Sequence, residues 1–316
     1  MVKTTGADPR IDEATGTATV GHEWDGIEEL NTPLPRWWVL TFYASILFSI
    51  AYAVVYPAWP LLSKGTEGMW GWTSRGQLAA EKTAGDAIHA KVRADLANVP
   101  VEELQNKPEL LAAAVAGGKA AFRVNCVQCH GALGGGSPAG SAGGYPNLAD
   151  NDWLWGGDLK AIETTIIHGI RSPGDAQTRT SLMPSFGKDG ILTSMQVNDV
   201  ANHVLSLTGK ARPTGSGAAL FATNCATCHG PDGKGLRQFG APNLADSIWL
   251  YGDKPSQVTA SITQAHVGQM PAWGGRLDPV TIRMLAAYVH SLGGGEKFAP
   301  APAAPAAPAA GAAQGK

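Results

Sequence analysis

The chain carries the heptapeptide Asn-Cys-Val-Gln-Cys-His-Gly at residues 125–131, and a second copy, Asn-Cys-Ala-Thr-Cys-His-Gly, follows at residues 224–230. Cys-x-x-Cys-His is the attachment signature of c-type haem, in which two thiols bond to the porphyrin and the adjacent histidine binds the iron. Two copies predict two covalently bound haem c groups. The predicted attachment residues are Cys126, Cys129, Cys225 and Cys228, and the predicted iron ligands are His130 and His229.

Other uses of a Cys-x-x-Cys pair are half of a zinc site and a redox dithiol. All four cysteines of the chain fall inside the two motifs, and a His-Gly pair follows each motif directly. The repeated histidine favours haem over both alternatives. No cysteine remains for a disulfide outside the motifs.

Composition limits the class of protein. At 316 residues the chain is long enough for about two domains. The 40 glycines and 21 prolines suit small, loop-rich domains around a prosthetic group, which supplies apolar surface that a small core lacks. A net charge of −2 is too small to indicate nucleic acid as a partner.

An apolar segment lies near the N-terminus. Residues 37–56 (WWVLTFYASILFSIAYAVVY) contain no charged side chain, and 20 residues of helix span about 30 Å, the thickness of a hydrocarbon core. Aromatic side chains lie near both ends, where they favour the membrane interface. A buried helix of a soluble domain is the alternative, but length and flanks favour a transmembrane anchor. The late start of this segment, after an acidic leader, differs from a signal peptide.

The two motifs belong to an internal duplication. Each unit begins with Gly-x3-Phe-x3-Cys, which places Gly, Phe and Cys along one side of a helix, and each ends in an amphipathic helix with the same apolar offsets. The predicted fold is mostly α, with one N-terminal transmembrane helix followed by two tandem small cytochrome c domains. The predicted segments are the leader over 1–36, the anchor over 37–56, a helical connector over 57–112, haem domains over 113–210 and 211–297, and a disordered Ala/Pro tail over 298–316.

Each unit contains one Met-Pro pair, at Met183 and at Met270. A thioether opposite the histidine would complete a low-spin iron site, so we predict both methionines as iron ligands. Met195 and Met284, in or next to the closing helices, are predicted to be packing methionines instead. His168 is an alternative ligand or haem-pocket residue, as is His266 in the second unit.

The pairing of methionines with haems stays open. Cys126 and Met183 are 57 positions apart, whereas Cys225 and Met270 are 45 apart. These lengths permit direct pairing within each unit or an exchange of the methionine loops between units.

The tract at residues 22–38 (HEWDGIEELNTPLPRWW) closely resembles the N-terminus of the di-haem subunit III (CcoP) of cbb3-type cytochrome c oxidases. This resemblance implies a subunit without a catalytic centre of its own. It implies electron transfer from a donor cytochrome c through two haems to a mono-haem subunit and on to a haem-copper catalytic subunit. It also implies the bacterial inner membrane as location, with the N-terminus cytoplasmic and the connector and haem domains periplasmic.

Two other functions are compatible with the motifs. One is a free-standing membrane di-haem shuttle, which only the leader resemblance argues against. The other is a di-haem peroxidase or sulfur-compound dehydrogenase, which would need an exchangeable iron position. A Met-Pro pair for each haem argues against such an enzyme.

Overall fold

The computed structural model describes residues 10–137 and 144–297. The chain divides into two compact units, one ending at Ile88 and the other beginning at His89. The predicted Ala/Pro tail lies outside the described residues, as do the first nine residues of the leader.

The leader contains a β-hairpin that the sequence analysis did not predict. Strand β1 (Thr19–Trp24) pairs antiparallel with β2 (Ile27–Leu30). Asp25 and Gly26 form the connection with φ values of 51° and 86°, the left-handed conformation that a two-residue hairpin turn requires. The Asp-Gly pair was therefore the available signal for this element.

Helix α1 (Arg36–Val55) agrees with the predicted anchor. It is long and apolar enough to cross a membrane, and none of its residues is buried within the chain. Tyr56 is already extended, because the following Pro57 disfavours a helical residue before it.

Two helices form the connector region. Helix α2 (Ser74–Asn98) lies within the predicted 57–112 connector, and a 3-10 helix (Val101–Asn106) follows it. Helix α3 (Pro108–Asn125) begins with proline at its first position, where no intrahelical donor is needed. It continues without a break to the first haem motif, so the predicted boundary between residues 112 and 113 falls inside a helix.

The remaining helices alternate with glycine-rich loops. They are α4 (Val127–His130), α5 (Leu159–His168), α6 (Ser194–Ser206), α7 (Gly215–Asn224), α8 (Ala226–His229), a 3-10 helix (Arg237–Phe239), α9 (Pro255–Thr263) and α10 (Pro279–His290).

The two closing helices are exchanged between the sequence units. Helix α10, from the second unit, packs against α3 and α5 of the first unit, while α6 packs against α7 and α9 of the second. A pair of rings packs at each of these helix contacts. The ring centroids of Phe122 and Tyr288 are 5.2 Å apart, and those of Phe221 and His203 are 5.1 Å apart. Two glycines allow the close approach. A Cβ on Gly118 would lie 1.9 Å from the Met284 carbonyl oxygen, and one on Gly217, the equivalent glycine in α7, would lie 2.2 Å from the Asp199 carbonyl oxygen.

Two apolar cores result, each built from both sequence units. Core A consists of Phe122, Ile162, Ile166, Ile282, Leu285, Ala286, Tyr288 and Val289. Core B consists of Phe186, Leu192, Val197, Val200, Ala201, Val204, Leu205, Phe221, Cys225, Val258 and Ile262. Each closing helix therefore packs in the core next to the cysteine motif of the other sequence unit. Because both helices carry the same apolar offsets, either could fill either core.

A third cluster joins the connector to core A. Leu96 and Leu104 are fully buried there together with Met284, which confirms Met284 as a packing residue. Arg283 on α10 pairs with Glu163 at 3.2 Å and donates to the Val99 carbonyl oxygen. The end of the connector is thus part of the haem-motif fold.

Candidate haem-attachment sites

Each haem motif forms a single short helical turn. Helices α4 and α8 follow Cys126 and Cys225, whose φ values are −116° and −117°. The amide of His130 donates to the Cys126 carbonyl oxygen at 2.9 Å, and the second motif repeats this contact. The turn therefore holds both cysteines and the histidine of each motif in one compact group.

The motif histidines are oriented by backbone carbonyls. The Nδ1 atom of His130 lies 3.2 Å from the Pro146 oxygen, and that of His229 lies 3.1 Å from the Pro242 oxygen. With Nδ1–H donating to the carbonyl, Nε2 keeps a free lone pair for a metal. Burial lowers the pKa of both histidines, against a smaller opposite effect of these hydrogen bonds. A neutral imidazole is the form that binds iron.

The environment of the motif cysteines does not suit a redox dithiol. None of the four is paired in a disulfide. Burial, and secondarily the neighbouring motif cysteine, raises the pKa of Cys126 and Cys225 to about 11, which disfavours a reactive dithiol. Within residues 10–137 and 144–297, no group of three or more His, Cys, Asp or Glu side chains is arranged to hold a metal ion.

Met270 lies in the core of the other sequence unit. Its amide donates to the Ile170 carbonyl oxygen at 2.9 Å, and the Ile170 amide donates back at 3.0 Å. The Gly274 amide extends this contact to the Ile167 oxygen at 3.0 Å. Met270 packs against core A, as does Cys126 of the first motif.

The segment that follows Met183 makes the reciprocal crossing, although the Met183 side chain itself is 37% exposed. Phe186, three residues later, is buried in core B together with Cys225. The Lys188 amide donates to the Thr263 oxygen at 2.9 Å at the end of α9. The structure thus brings the Met270 segment to the His130 motif and the Met183 segment to the His229 motif. Met195, predicted to be a packing residue, is 76% exposed at the start of α6, so that prediction is wrong.

The two alternative histidine ligands are engaged by protein groups. His168 Nδ1 lies 3.2 Å from an Asp175 carboxylate oxygen. His266 stacks on Tyr251 at 3.6 Å between ring centroids, and its Nε2 lies 3.2 Å from the Ser261 hydroxyl.

Several charged groups near the crossing were not singled out from the sequence. Burial, followed by the nearby Asp246 and Asp150, raises the pKa of Asp152 to about 6, with Arg237 opposing. Arg171 lies between the two methionine segments. Asp152 and Arg171 belong to no sequence motif, so no pattern in the sequence could have indicated either residue.

Two cysteine-histidine motifs, each meeting a methionine segment in an apolar core, define a c-type cytochrome with an N-terminal helix long enough to anchor it in a membrane. The family model for cytochrome c matches residues 115–208, that for subunit III of cbb3-type cytochrome c oxidase matches 212–289, and that for the N-terminal domain of the cbb3 oxidase subunit FixP matches 16–63.

Full-length relatives agree with these matches. The cbb3-type oxidase subunit FixP of Azorhizobium caulinodans is 51% identical over 90% of this chain and 96% of its own length. FixP of Bradyrhizobium sp. is 48% identical over 90% and 98%, and CcoP of Cereibacter sphaeroides is 48% identical over 88% and 95%. The chain belongs to the FixP/CcoP family of electron-transfer subunits of cbb3-type cytochrome c oxidases.

Proposed function

We propose that the chain binds two haem c groups with crossed axial ligands. His130 and Met270 would bind the iron of the haem held by Cys126 and Cys129. His229 and Met183 would bind the iron of the haem held by Cys225 and Cys228. The observation that carries this pairing is the packing of Met270 with Cys126 against core A, together with the reciprocal position of Phe186 beside Cys225 in core B.

The residues of the chain fix how each group would work. Haem c supplies reversible one-electron oxidation and reduction. The carbonyl of Pro146 and that of Pro242 orient neutral imidazoles, and the Met-Pro segments present a thioether from the opposite sequence unit. If His130 with Met270 and His229 with Met183 bound the two irons, no iron position would be open to peroxide or a sulfur substrate, which supports a subunit without a catalytic centre of its own.

Within the oxidase, this chain would take electrons from a donor cytochrome c and deliver them to a mono-haem subunit. Oxygen reduction would then occur in the haem-copper catalytic subunit. Helix α1 supports a single-pass anchor in the bacterial inner membrane. The attachment of c-type haem on the outer side of that membrane supports a cytoplasmic N-terminus and periplasmic haem domains.

Methionine replacement tests the ligand pairing. Met270→Leu should abolish the long-wavelength methionine-to-ferric-iron charge-transfer band of the haem at His130. It should also lower the midpoint potential of that haem and leave the potential of the other haem unchanged. Met183→Leu should do the same at His229. Variants that lack one cysteine pair assign each spectrum to its motif. If each substitution alters the haem of its own sequence unit, the crossed pairing fails. If neither has any effect, methionine ligation fails.

Isolation of the complex tests the wider role. After mild-detergent solubilisation, the chain should migrate on a native gel with haem b and with cyanide-sensitive oxygen uptake from reduced cytochrome c. Migration alone, with low-spin haem and no uptake, would indicate a free-standing shuttle. Deletion of residues 22–35, with the anchor retained, should prevent assembly and preserve both haems. Normal assembly of that variant would show that the leader does not contact the other subunits.

A further inference from the structure

The loop that leads to Met183 contains an arginine with an unusual backbone. Arg171 has φ 50°, in the left-handed region that residues other than glycine seldom adopt. Such a conformation persists only where surrounding contacts determine it, and it is therefore a reason to look for a function. The contacts of Arg171 are with the two methionine segments themselves.

The guanidinium of Arg171 joins both segments. Its Nε donates to the Gly268 carbonyl oxygen at 2.6 Å, and its Nη1 donates to the Ser181 carbonyl oxygen at 2.8 Å. Gly268 stands two residues before Met270, and Ser181 stands two residues before Met183. One planar group thus holds equivalent points of two segments that run to different cores.

The backbone of the same loop reinforces this bridge. The Arg171 amide donates to the Arg179 oxygen at 2.7 Å, and the preceding residue, Ile170, exchanges two hydrogen bonds with Met270. Burial lowers the pKa of Arg171, yet both described side-chain partners are neutral carbonyls. The Nε and Nη1 donors of Arg171 stand on different atoms of one rigid plane, whereas the three donors of an ammonium share a single nitrogen on a flexible stem and lose more freedom in holding two separate acceptors.

We propose that Arg171 is a positioning residue that couples the two methionine ligands, so that one side chain sets how firmly both thioethers are held. The proposal rests on the ligand set in the preceding section. It predicts that methionine ligation at both haems depends on one residue outside the two motifs, because the loss of the Arg171 hydrogen bonds releases both methionine segments together.

Three substitutions test this coupling. Arg171→Gly suits the left-handed backbone and removes the fork, so the loop keeps its conformation while the bridge is lost. Arg171→Lys keeps the charge without the fork. Arg212→Gln changes an exposed arginine and serves as the control. The readouts are the methionine-to-iron charge-transfer band, the two midpoint potentials and carbon monoxide binding by the reduced protein.

In Arg171→Gly we expect the fraction of carbon-monoxide-accessible iron to rise at least about tenfold at both haems, since two charge-assisted hydrogen bonds are lost. Both charge-transfer bands should weaken and both potentials should fall. Arg171→Lys should show the same changes, and Arg212→Gln should show none.

Changes confined to one haem, or none at either, would overturn the coupling. Wild-type behaviour of Arg171→Lys would show that charge, and not the bridge, is what matters, and would also overturn it. If the unaltered protein lacks a methionine band at either haem, the ligand set of the proposed function fails. If it shows both bands and Arg171→Gly leaves them intact, only the present inference fails.

Discussion

Shortening Leu285 in α10 should damage the haem at the first motif, although Leu285 lies in the second sequence unit. The side chain is 1% exposed in core A, which packs against Met270 and Cys126. A leucine-to-alanine change at such a site costs about 3 kcal/mol, because the rigid surroundings only partly close the cavity. If this loss of free energy weakens the packing of α10 on core A, the population in which the Met270 segment is detached rises about a hundredfold.

The assay uses variants in which one methionine is already replaced by leucine, so that only one methionine-to-iron charge-transfer band remains. On the proposed pairing, the band that remains in Met183→Leu protein belongs to the iron bound by His130 and Met270, so Leu285→Ala should weaken that band and increase carbon monoxide binding. In Met270→Leu protein, Leu285→Ala should leave the other band intact. The matched control is Leu205→Ala in α6, also 1% exposed, which should give the opposite pattern.

The reasoning is refuted if Leu285→Ala perturbs the haem at His229 and spares the one at His130. A uniform loss of both bands in both variants would instead indicate one cooperative unfolding unit. Measurement of the free energy of unfolding by denaturant separates these outcomes, since both leucine variants should lose about the same amount.

Three further predictions follow from the packing and the charges. Gly118→Ala should lower the free energy of unfolding by about 3 kcal/mol, because the new Cβ would lie 1.9 Å from the Met284 carbonyl oxygen and must separate α3 from α10. Asp152→Asn should raise the melting temperature at pH 7 and leave it unchanged at pH 3. The folded pKa is raised to about 6, so the stability that this carboxyl group contributes is complete below its ordinary pKa and is lost as pH rises through 6. Arg283→Met should destabilise by about 3 kcal/mol, because it removes the buried partner of Glu163, whose side chain is 6% exposed, and leaves only the half-exposed Lys160 paired with that carboxylate.

Each of these predictions has its own control. Gly85→Ala in α2 meets no atom within 4 Å and should be neutral or slightly stabilising; equal damage from both glycine changes would contradict the packing argument. For Asp152→Asn, an equal shift at both pH values would remove ionisation as the cause. Arg283→Met combined with Glu163→Gln should recover part of the loss, and a double variant as unstable as the single one would exclude the buried charge of Glu163 as the cause.

Local elements of this fold follow from local residues. The uncharged 20-residue run became α1, and the spacing of Gly118, Phe122 and Cys126 became one side of α3. These features depend on helical periodicity and on the absence of charge, which a single segment contains in full. The hairpin was missed, although Asp25-Gly26 is a recognised turn pair, because its strands lack a regular apolar alternation.

The exchange of the closing helices could not be predicted. Val200 and Leu285 occupy the same position in their respective helices, and both fit behind a phenylalanine one turn after a glycine. A duplicated sequence duplicates its packing surfaces, so the apolar pattern is the same for direct and exchanged partners. Arg171 was beyond prediction for a related reason, because its partners are main-chain carbonyls and any sequence offers those.

The crossed helices also bear on how the protein is made. A ribosome completes the Cys126 motif long before residues 270–290, so the first haem site to be translated is the last to receive its full core. Until the chain is nearly finished, α3 has no α10 to cover it. Proteolytic cleavage or a stop codon between the two motifs would therefore not release an intact one-haem domain. It would leave fragments that each lack part of the apolar core around a haem motif.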